Sequence, residues 1–282
     1  FKLFGASARQ DELLTGAIVP AIQRAQADRE IDAWFFLRYV DGPGRRPHLR
    51  LRVHALGHPH VFEDRLRTGL GLARADGAAT TMETGDYHPE WGRFAADELP
   101  ALHAIFESDS AAAASLLAEP ERERAPLLTW AFDTLASGLG LDLPQRHALA
   151  LERRRAAESW TDAGDERRSE ADAEFRRVGR ALRGALGGRT SGHDPDASGG
   201  DRPAAVLSRH RAQVAAAARD LLPAARARLA PTLLHLCAVR WAGPDPDLER
   251  LAYTLWERTL EGLNRQAHRR PGPIPRRKSG PR

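Results

Sequence analysis

The sequence has 282 residues, 42% of them hydrophobic, and a formal net charge of +4. That length gives ample core for one large domain or two small ones. No apolar run reaches the roughly 20 residues of a membrane span, and the single cysteine, Cys237, excludes an internal disulfide and fits a reducing cytoplasm.

The charge is unevenly placed. Arg269, Arg270, Arg276, Arg277, Lys278 and Arg282 crowd the end of the chain with no acid among them. Without these six cations the formal +4 becomes −2, so the body is not a basic nucleic-acid binder by charge. Residues 267–282, rich in Pro, Gly and Arg, read as a disordered basic tail. The chain opens at Phe1 with neither a methionine nor a charged-then-apolar leader, as a fragment of a longer protein would.

In chain order, Phe1-Lys2-Leu3-Phe4-Gly5 reads as a short strand. Leu13, Leu14, Ala17, Ile18, Ala21 and Ile22 then recur at helical spacing from Asp11 to about Gln26, with Pro20 expected to bend the helix. Trp34–Val40 has the composition of a buried strand. After a Gly/Pro turn, Pro47–His54 alternates strictly: His48, Arg50, Arg52 and His54 on one side, Leu49, Leu51 and Val53 on the other. The two form a hairpin. Pairing Val40 with His48 would set Arg38 against Arg50 and Phe36 against Arg52, a crowding of like charges that leaves the register open. A helix over His60–Arg74 and a Thr-rich strand over Thr80–Tyr87 complete a β-α-β-β-α-β order, as in ferredoxin-like sheets.

From Asp97 onward helices dominate: Glu98–Ala118 with Asp97 as its cap, Arg122–Gly138, Gln145–Trp160, Asp165–Leu186, Ala204–Leu222, Ala230–Trp241 and Leu248–Leu263. Residues 187–203 have linker composition. The fold class is α+β: an antiparallel-rich sheet over about residues 1–95, then a mostly helical section over about 96–266, within one domain spanning 1–266.

Three stretches carry chemistry. The first is the row of Arg50 and Arg52, which is either a solvated edge or a seat for something anionic. The second, Asp86-Tyr87-His88-Pro89-Glu90-Trp91-Gly92-Arg93-Phe94, gathers a phenol, carboxylates and a guanidinium after a strand, where sites collect; its plain reading is a surface ion pair between Glu90 and Arg93. The third is His235 to Gly243. His235 lies in an apolar helix, where a histidine is more often a core residue than a catalyst, and Arg240 sits in the last turn, favoured by the helix dipole. The sequence has no Gly-rich phosphate loop, zinc-spaced Cys/His cluster or serine elbow.

Trp34-Phe35-Phe36-Leu37-Arg38-Tyr39, the turn and His48-Leu49-Arg50-Leu51-Arg52 resemble the opening of the lantibiotic dehydratase C-terminal domain, which also occurs as the thiopeptide-type bacteriocin biosynthesis protein. Tyr87, Glu90 and Arg93 match that family's Tyr-x-x-Glu-x-x-Arg element, with Phe94 in place of its tyrosine and Ala95-Ala96 in place of Gly-Gly. Phe106-Glu107-Ser108-Asp109-Ser110 matches its Phe-x-x-Asp-Ser. His235, Arg240 and Gly243 match its His-Met-x-Cys-Asn-Arg-Leu-x-Gly, although Ala238-Val239 replaces Cys-Asn.

The resemblance implies elimination of glutamate from glutamylated Ser or Thr of a precursor peptide, with pyridine-forming aza-[4+2] cyclisation as the alternative and a leader-peptide-binding scaffold as a third. It implies His235, Arg52 and Arg93 as catalytic residues. Arg50, Arg38, Tyr87, Glu90 and Arg240 would bind substrate. No metal or organic cofactor is required. The implied partners are a precursor peptide with its leader and a separate glutamylation protein, with a homodimer allowed, no direct nucleic acid and no membrane. The implied location is cytoplasmic.

Overall fold

The computed structural model describes residues 1–41, 46–75, 81–88, 93–117, 123–160, 164–187 and 202–269. It begins with strand β1 (Lys2–Phe4), then a helical stretch made of α1 (Gln10–Leu13), a π-helical turn (Leu14–Ile18) and α2 (Val19–Ala27). The expected bend at Pro20 takes this form. A proline lacks the N–H that an α-helix needs and crowds the preceding turn, and a wider π turn directly before it relieves both demands. Strands β2 (Ile31–Val40) and β3 (Pro47–Ala55), helix α3 (Pro59–Ala75) and strand β4 (Thr81–Glu83) follow.

The strands form one antiparallel sheet in the order β2-β3-β1-β4, the ferredoxin-like order. The Thr-rich strand expected over Thr80–Tyr87 is confined to Thr81–Glu83 among the described residues.

The hairpin register, open in the sequence, is one residue away from the pairing of Val40 with His48. Val40 pairs with Pro47, so Phe35 faces Arg52, Leu37 faces Arg50 and Arg38 faces Leu49. This separates the arginines. Arg50 and Arg52 stay on one face, and Arg38 moves to the opposite face with Phe36, Leu49 and Leu51. On that core face Leu3, Phe36, Leu49 and Leu51 are fully buried, joined in one cluster by Leu13, Leu14, Ile18, Phe62 and Leu66 from the helices.

The helical section consists of α4 (Leu99–Leu116), α5 (Arg124–Gly138), α6 (Leu143–Trp160), α7 (Asp165–Gly187), α8 (Arg202–Ala217), α9 (Pro223–Ala242) and α10 (Pro246–Arg269). A short 3₁₀ turn at Ala96–Glu98 leads into α4. There Glu98, not Asp97, reaches back to accept the N–H of Ala95 at 3.0 Å. Helix α9 starts at Pro223, well before the expected Ala230, and carries Pro231 inside. Helix α10 runs to Arg269, so the first residues of the expected disordered tail are helical. Most of the expected linker and tail, 188–201 and 270–282, lies outside the described residues.

Packing is tight where α5 meets α8. A Cβ on Gly138 would meet Val214 at 2.8 Å, so only glycine permits that approach. Among the described residues no helix is long and apolar enough to cross a membrane.

Candidate active site

The sheet face bearing Lys2, Phe4, His48, Arg50, Arg52, Phe35 and Tyr39 is only partly covered, and Tyr39 is 42% exposed. Alternation puts both arginines there, and the aromatic residues around them hold each in place. Arg52 lies over the rings of Tyr87 at 4.7 Å and Phe35 at 5.4 Å. Phe35 packs in turn on Phe106 and His103 of α4, at 5.3 and 5.6 Å between ring centres, and Tyr87 meets His103 at 5.7 Å. A planar guanidinium stacks in such a setting where an ammonium would not.

His103 is the histidine of this aromatic box. Its Nε2 is buried and has no hydrogen-bond partner among the described residues. Burial pushes its pKa down, helped by the neighbouring charges of Arg52 and His54, so the imidazole is held neutral. Nothing in the Ala- and Leu-rich helix around it marks it out in the sequence.

Arg50 is braced differently. Its guanidinium lies 3.5 Å from the Tyr39 ring centre, donates to His48 Nε2 at 3.1 Å and reaches Asp41 at 3.3 Å. The Arg50–Asp41 pair is open to solvent, at 26% and 42% side-chain exposure, and such pairs are weak enough to yield to a better anion.

Arg38 and Arg240 occupy another place. Arg38 is 3% exposed; it donates to Asp11 at 2.5 Å and to the carbonyl of Arg240 at 2.8 Å. Burial pulls its pKa down, and Asp11 opposes that. Arg240, 1% exposed, donates to the carbonyl of Phe36 at 3.0 Å and to Asp109 at 2.8 Å, while Ser110 Oγ receives the N–H of Phe36 at 3.2 Å. Phe36 lies in the outer strand of the sheet, so these groups satisfy an edge that would otherwise be exposed. Asp109 also accepts from Trp241 Nε1 at 3.0 Å and Cys237 Sγ at 3.4 Å, and His210 stands 3.6 Å away. His210 is in contact with Ser108 Oγ at 2.7 Å. Desolvation lowers its pKa and pushes the Cys237 thiol well up.

His235 belongs to a third group. Its Nδ1 lies 3.0 and 3.2 Å from the two carboxylate oxygens of Glu249, and its side chain is 45% exposed. At about 100° per residue it stands roughly 140° around α9 from Arg240, turned toward α10.

Among the described residues, contacts join Arg52 with Tyr87, Arg38 with Arg240, and His235 with Glu249. Arg93 is exposed, next to buried Phe94, which packs on Phe106 at 6.3 Å and so anchors that segment beside the Arg52 box. Glu90 lies outside the described residues. Arg38 and Arg240, read from the sequence as substrate-binding, are sealed in the seam between the sheet and the helices. The residues that the sequence left unmarked are His103, Asp109 as a hub, His210 and Glu249. Asp109 carries a signal, as part of the Phe-x-x-Asp-Ser stretch, and Glu249 a fainter one. Among the described residues no group of three or more His, Cys, Asp or Glu side chains is placed to hold a metal ion.

Comparison with solved structures finds the same fold in several chains. The tRNA-dependent lantibiotic dehydratase MibB from Microbispora sp. 107891 superposes with a TM-score of 0.67 at 23% identity, over 95% of this chain and 28% of MibB. The chain therefore spans little more than a quarter of MibB. TsrL superposes with a TM-score of 0.62 at 16% identity, covering 94% of this chain and 95% of TsrL. TbtD, a pyridine synthase from thiomuracin biosynthesis, also gives 0.62, at 19% identity, over 93% of this chain and 96% of TbtD. No curated protein matches. Residues 1–260 match the family described as lantibiotic biosynthesis dehydratase C-term. With nearly its whole length matched, the chain belongs to the lantibiotic biosynthesis dehydratase C-terminal family.

Proposed function

We propose that the protein is a lyase acting on a ribosomally made precursor peptide, removing glutamate from glutamylated Ser or Thr to leave dehydroalanine or dehydrobutyrine. The observation that carries this reading is the pairing of Arg50 and Arg52 on the open sheet face, each stacked on aromatic rings that fix its plane. A departing glutamate is a carboxylate-rich leaving group, and guanidinium forks are its best partners.

The reaction balances without a cofactor. The Cα–H bond breaks and its proton goes to a base, His235 in this reading. The electron pair forms the Cα=Cβ bond, and the Cβ–O bond breaks, its electrons leaving with the glutamate carboxylate. Arg52 and Arg93 stabilise the negative charge that develops, and Arg50, Tyr87 and Glu90 orient the substrate. Arg38 and Arg240 support the site from within the seam.

The likeness in fold to a pyridine synthase supports the second reading, cyclisation of two dehydroalanines. One assay separates the readings. The purified protein is given a glutamylated precursor peptide, and separately a peptide carrying two dehydroalanines. A mass loss of one glutamate from the first is expected. An inert first substrate, with leader release and pyridine absorbance from the second, would establish the cyclase instead. Tight binding with no turnover of either would leave a scaffold that holds the precursor for a separate glutamylation protein.

A further inference from the structure

We propose that Glu249 is a positioning residue for His235, fixing its imidazole in the tautomer that turns a proton-accepting Nε2 away from the core, and that Tyr253 fixes Glu249 in turn. This rests on the reading above in which His235 takes the proton.

The pair is built across a helix–turn–helix corner. Gly243, with φ +81°, ends α9, and its N–H returns to Val239 O at 3.1 Å. Asp245 Oδ1 then accepts from the N–H groups of Asp247 and Leu248 at 3.1 and 3.0 Å, starting α10. Glu249 lies in the first turn of α10, so the corner sets it against His235.

Both oxygens of Glu249 lie within 3.2 Å of Nδ1. A carboxylate can only accept, so Nδ1 carries the hydrogen and Nε2 of the neutral ring carries the lone pair.

Behind the carboxylate the support runs into the core. Tyr253 donates its hydroxyl to Glu249 Oε1 at 3.0 Å. Burial, with Glu249 adding to it, pushes the Tyr253 phenol well up, so it stays a donor. Its ring is fully buried and stacks on Phe132 at 4.6 Å and 15°, with the Arg153 guanidinium 5.6 Å from its centre.

The plain alternative is an ion pair of little worth. It does not account for the asymmetry: Glu249 is 6% exposed and held by a second donor, whereas the histidine side chain is 45% exposed. A rigid buried acceptor behind a solvent-reaching imidazole is how a base is oriented, the logic of the third member of a catalytic triad.

The test is Glu249→Gln in the full chain. Gln keeps the shape, and Tyr253 continues to donate to the amide oxygen. That oxygen, in the Oε1 place, also lies 3.0 Å from Nδ1, while the NH₂ takes the Oε2 place 3.2 Å away, so Nδ1 faces an acceptor and a donor together and neither tautomer is fixed. Nitrogen-15 NMR of histidine-labelled protein, with His235 assigned by the signal lost in His235→Asn, reads this directly. The expected result is hydrogen on Nδ1 in the wild type and a mixture of the two tautomers in Glu249→Gln. The elimination kcat should drop about 10²-fold or more while KM changes by less than about threefold, because the imidazolium formed on proton transfer also loses its carboxylate partner. Tyr253→Phe, which leaves the carboxylate but loosens it, should give mixed tautomers and a smaller loss; it carries the test if Glu249→Gln does not fold. An unchanged His235 tautomer overturns the positioning role whatever the reaction is. Mixed tautomers with undiminished kcat overturn it as well. A wild type that shows the Nδ1–H tautomer but never releases glutamate overturns the elimination reading and leaves the orientation of His235 standing.

Discussion

At the scale of single residues, the site depends on the flatness of guanidinium groups. Arg52 is seated on two rings and Arg50 on a third, so shape matters as much as charge. Arg52→Ala should lower glutamate release about 10²–10³-fold, the usual cost of losing one charge-stabilising donor, and glutamylated peptide should accumulate in a mass-spectrometric time course. Arg52→Lys should recover little of that, because a point charge neither forks nor stacks. Lysine at full activity would remove Arg52 from the proposed role.

Two histidines, one buried and one half-buried, report on acid instead. His210 and His103 both have pKa values lowered, chiefly by burial. An unfolded chain takes up protons on both near pH ~6.5, and the folded chain refuses them, so folding stability should fall as pH drops from about 7 through 6.5 toward 5. Glu107, pushed upward by burial, works with the opposite sign at lower pH, so the informative quantity is a difference. Calorimetry should show a flatter fall of Tm between pH 7.5 and 5.5 in His210→Gln than in the wild type.

At the scale of elements, the central joint is the outer edge of β2 against α4 and α9. Asp109 and Arg240 are each 1% exposed, bonded to each other at 2.8 Å, and they hold Phe36, Trp241 and Cys237 around them. Removing one member of such a pair strands the other's charge. Arg240→Met or Asp109→Leu alone should cost about 3–5 kcal/mol, whereas the double variant should recover a large part, since buried pairs are often replaceable by apolar side chains. Urea titrations of the three variants check this. Additive losses would mean that the two groups act separately.

This joint also marks how far the sequence could be read. The alternation from His48 to His54 needed only local information and gave the arginine face correctly. The register did not, because it depends on where Arg38 can be satisfied. Its partners are Asp11 and the carbonyl of residue 240, far away in sequence. Local pattern starts α9 at Ala230, next to Pro231, whereas the helix begins at Pro223 and carries that proline inside, where propensity alone penalises it. The grouping of His235 with Glu249 had a faint signal: a histidine near the end of one helix and an acid in the first turn of the next, across a Gly-Pro corner.

At the scale of the whole molecule, sheet and helices share one apolar cluster, with Phe35 and Phe36 meeting Phe106 and residues of α9. The protein should therefore unfold in one transition, with near- and far-ultraviolet circular dichroism coincident in urea. A piece ending near residue 95 should fail to fold alone, since it would expose the β2 edge and half of that cluster. Two separated transitions would show that the parts are independent domains. The α+β class, the strand order and the family were legible from local pattern and motif. Which of the arginines reach solvent was not, because burial is a property of the assembled chain.

The clamp on Phe36 also determines which changes of length the chain tolerates. Phe35 is the next residue along, and its ring carries Arg52. The seat of that guanidinium is therefore surveyed from α4 and α9, through Ser110 and Arg240, not from the connection between Val40 and Pro47. Residues added to that connection leave the benchmark where it is. A single residue inserted in α9 just before Arg240 swings it about 100° out of alignment, and the error passes along two residues of strand to the reacting face.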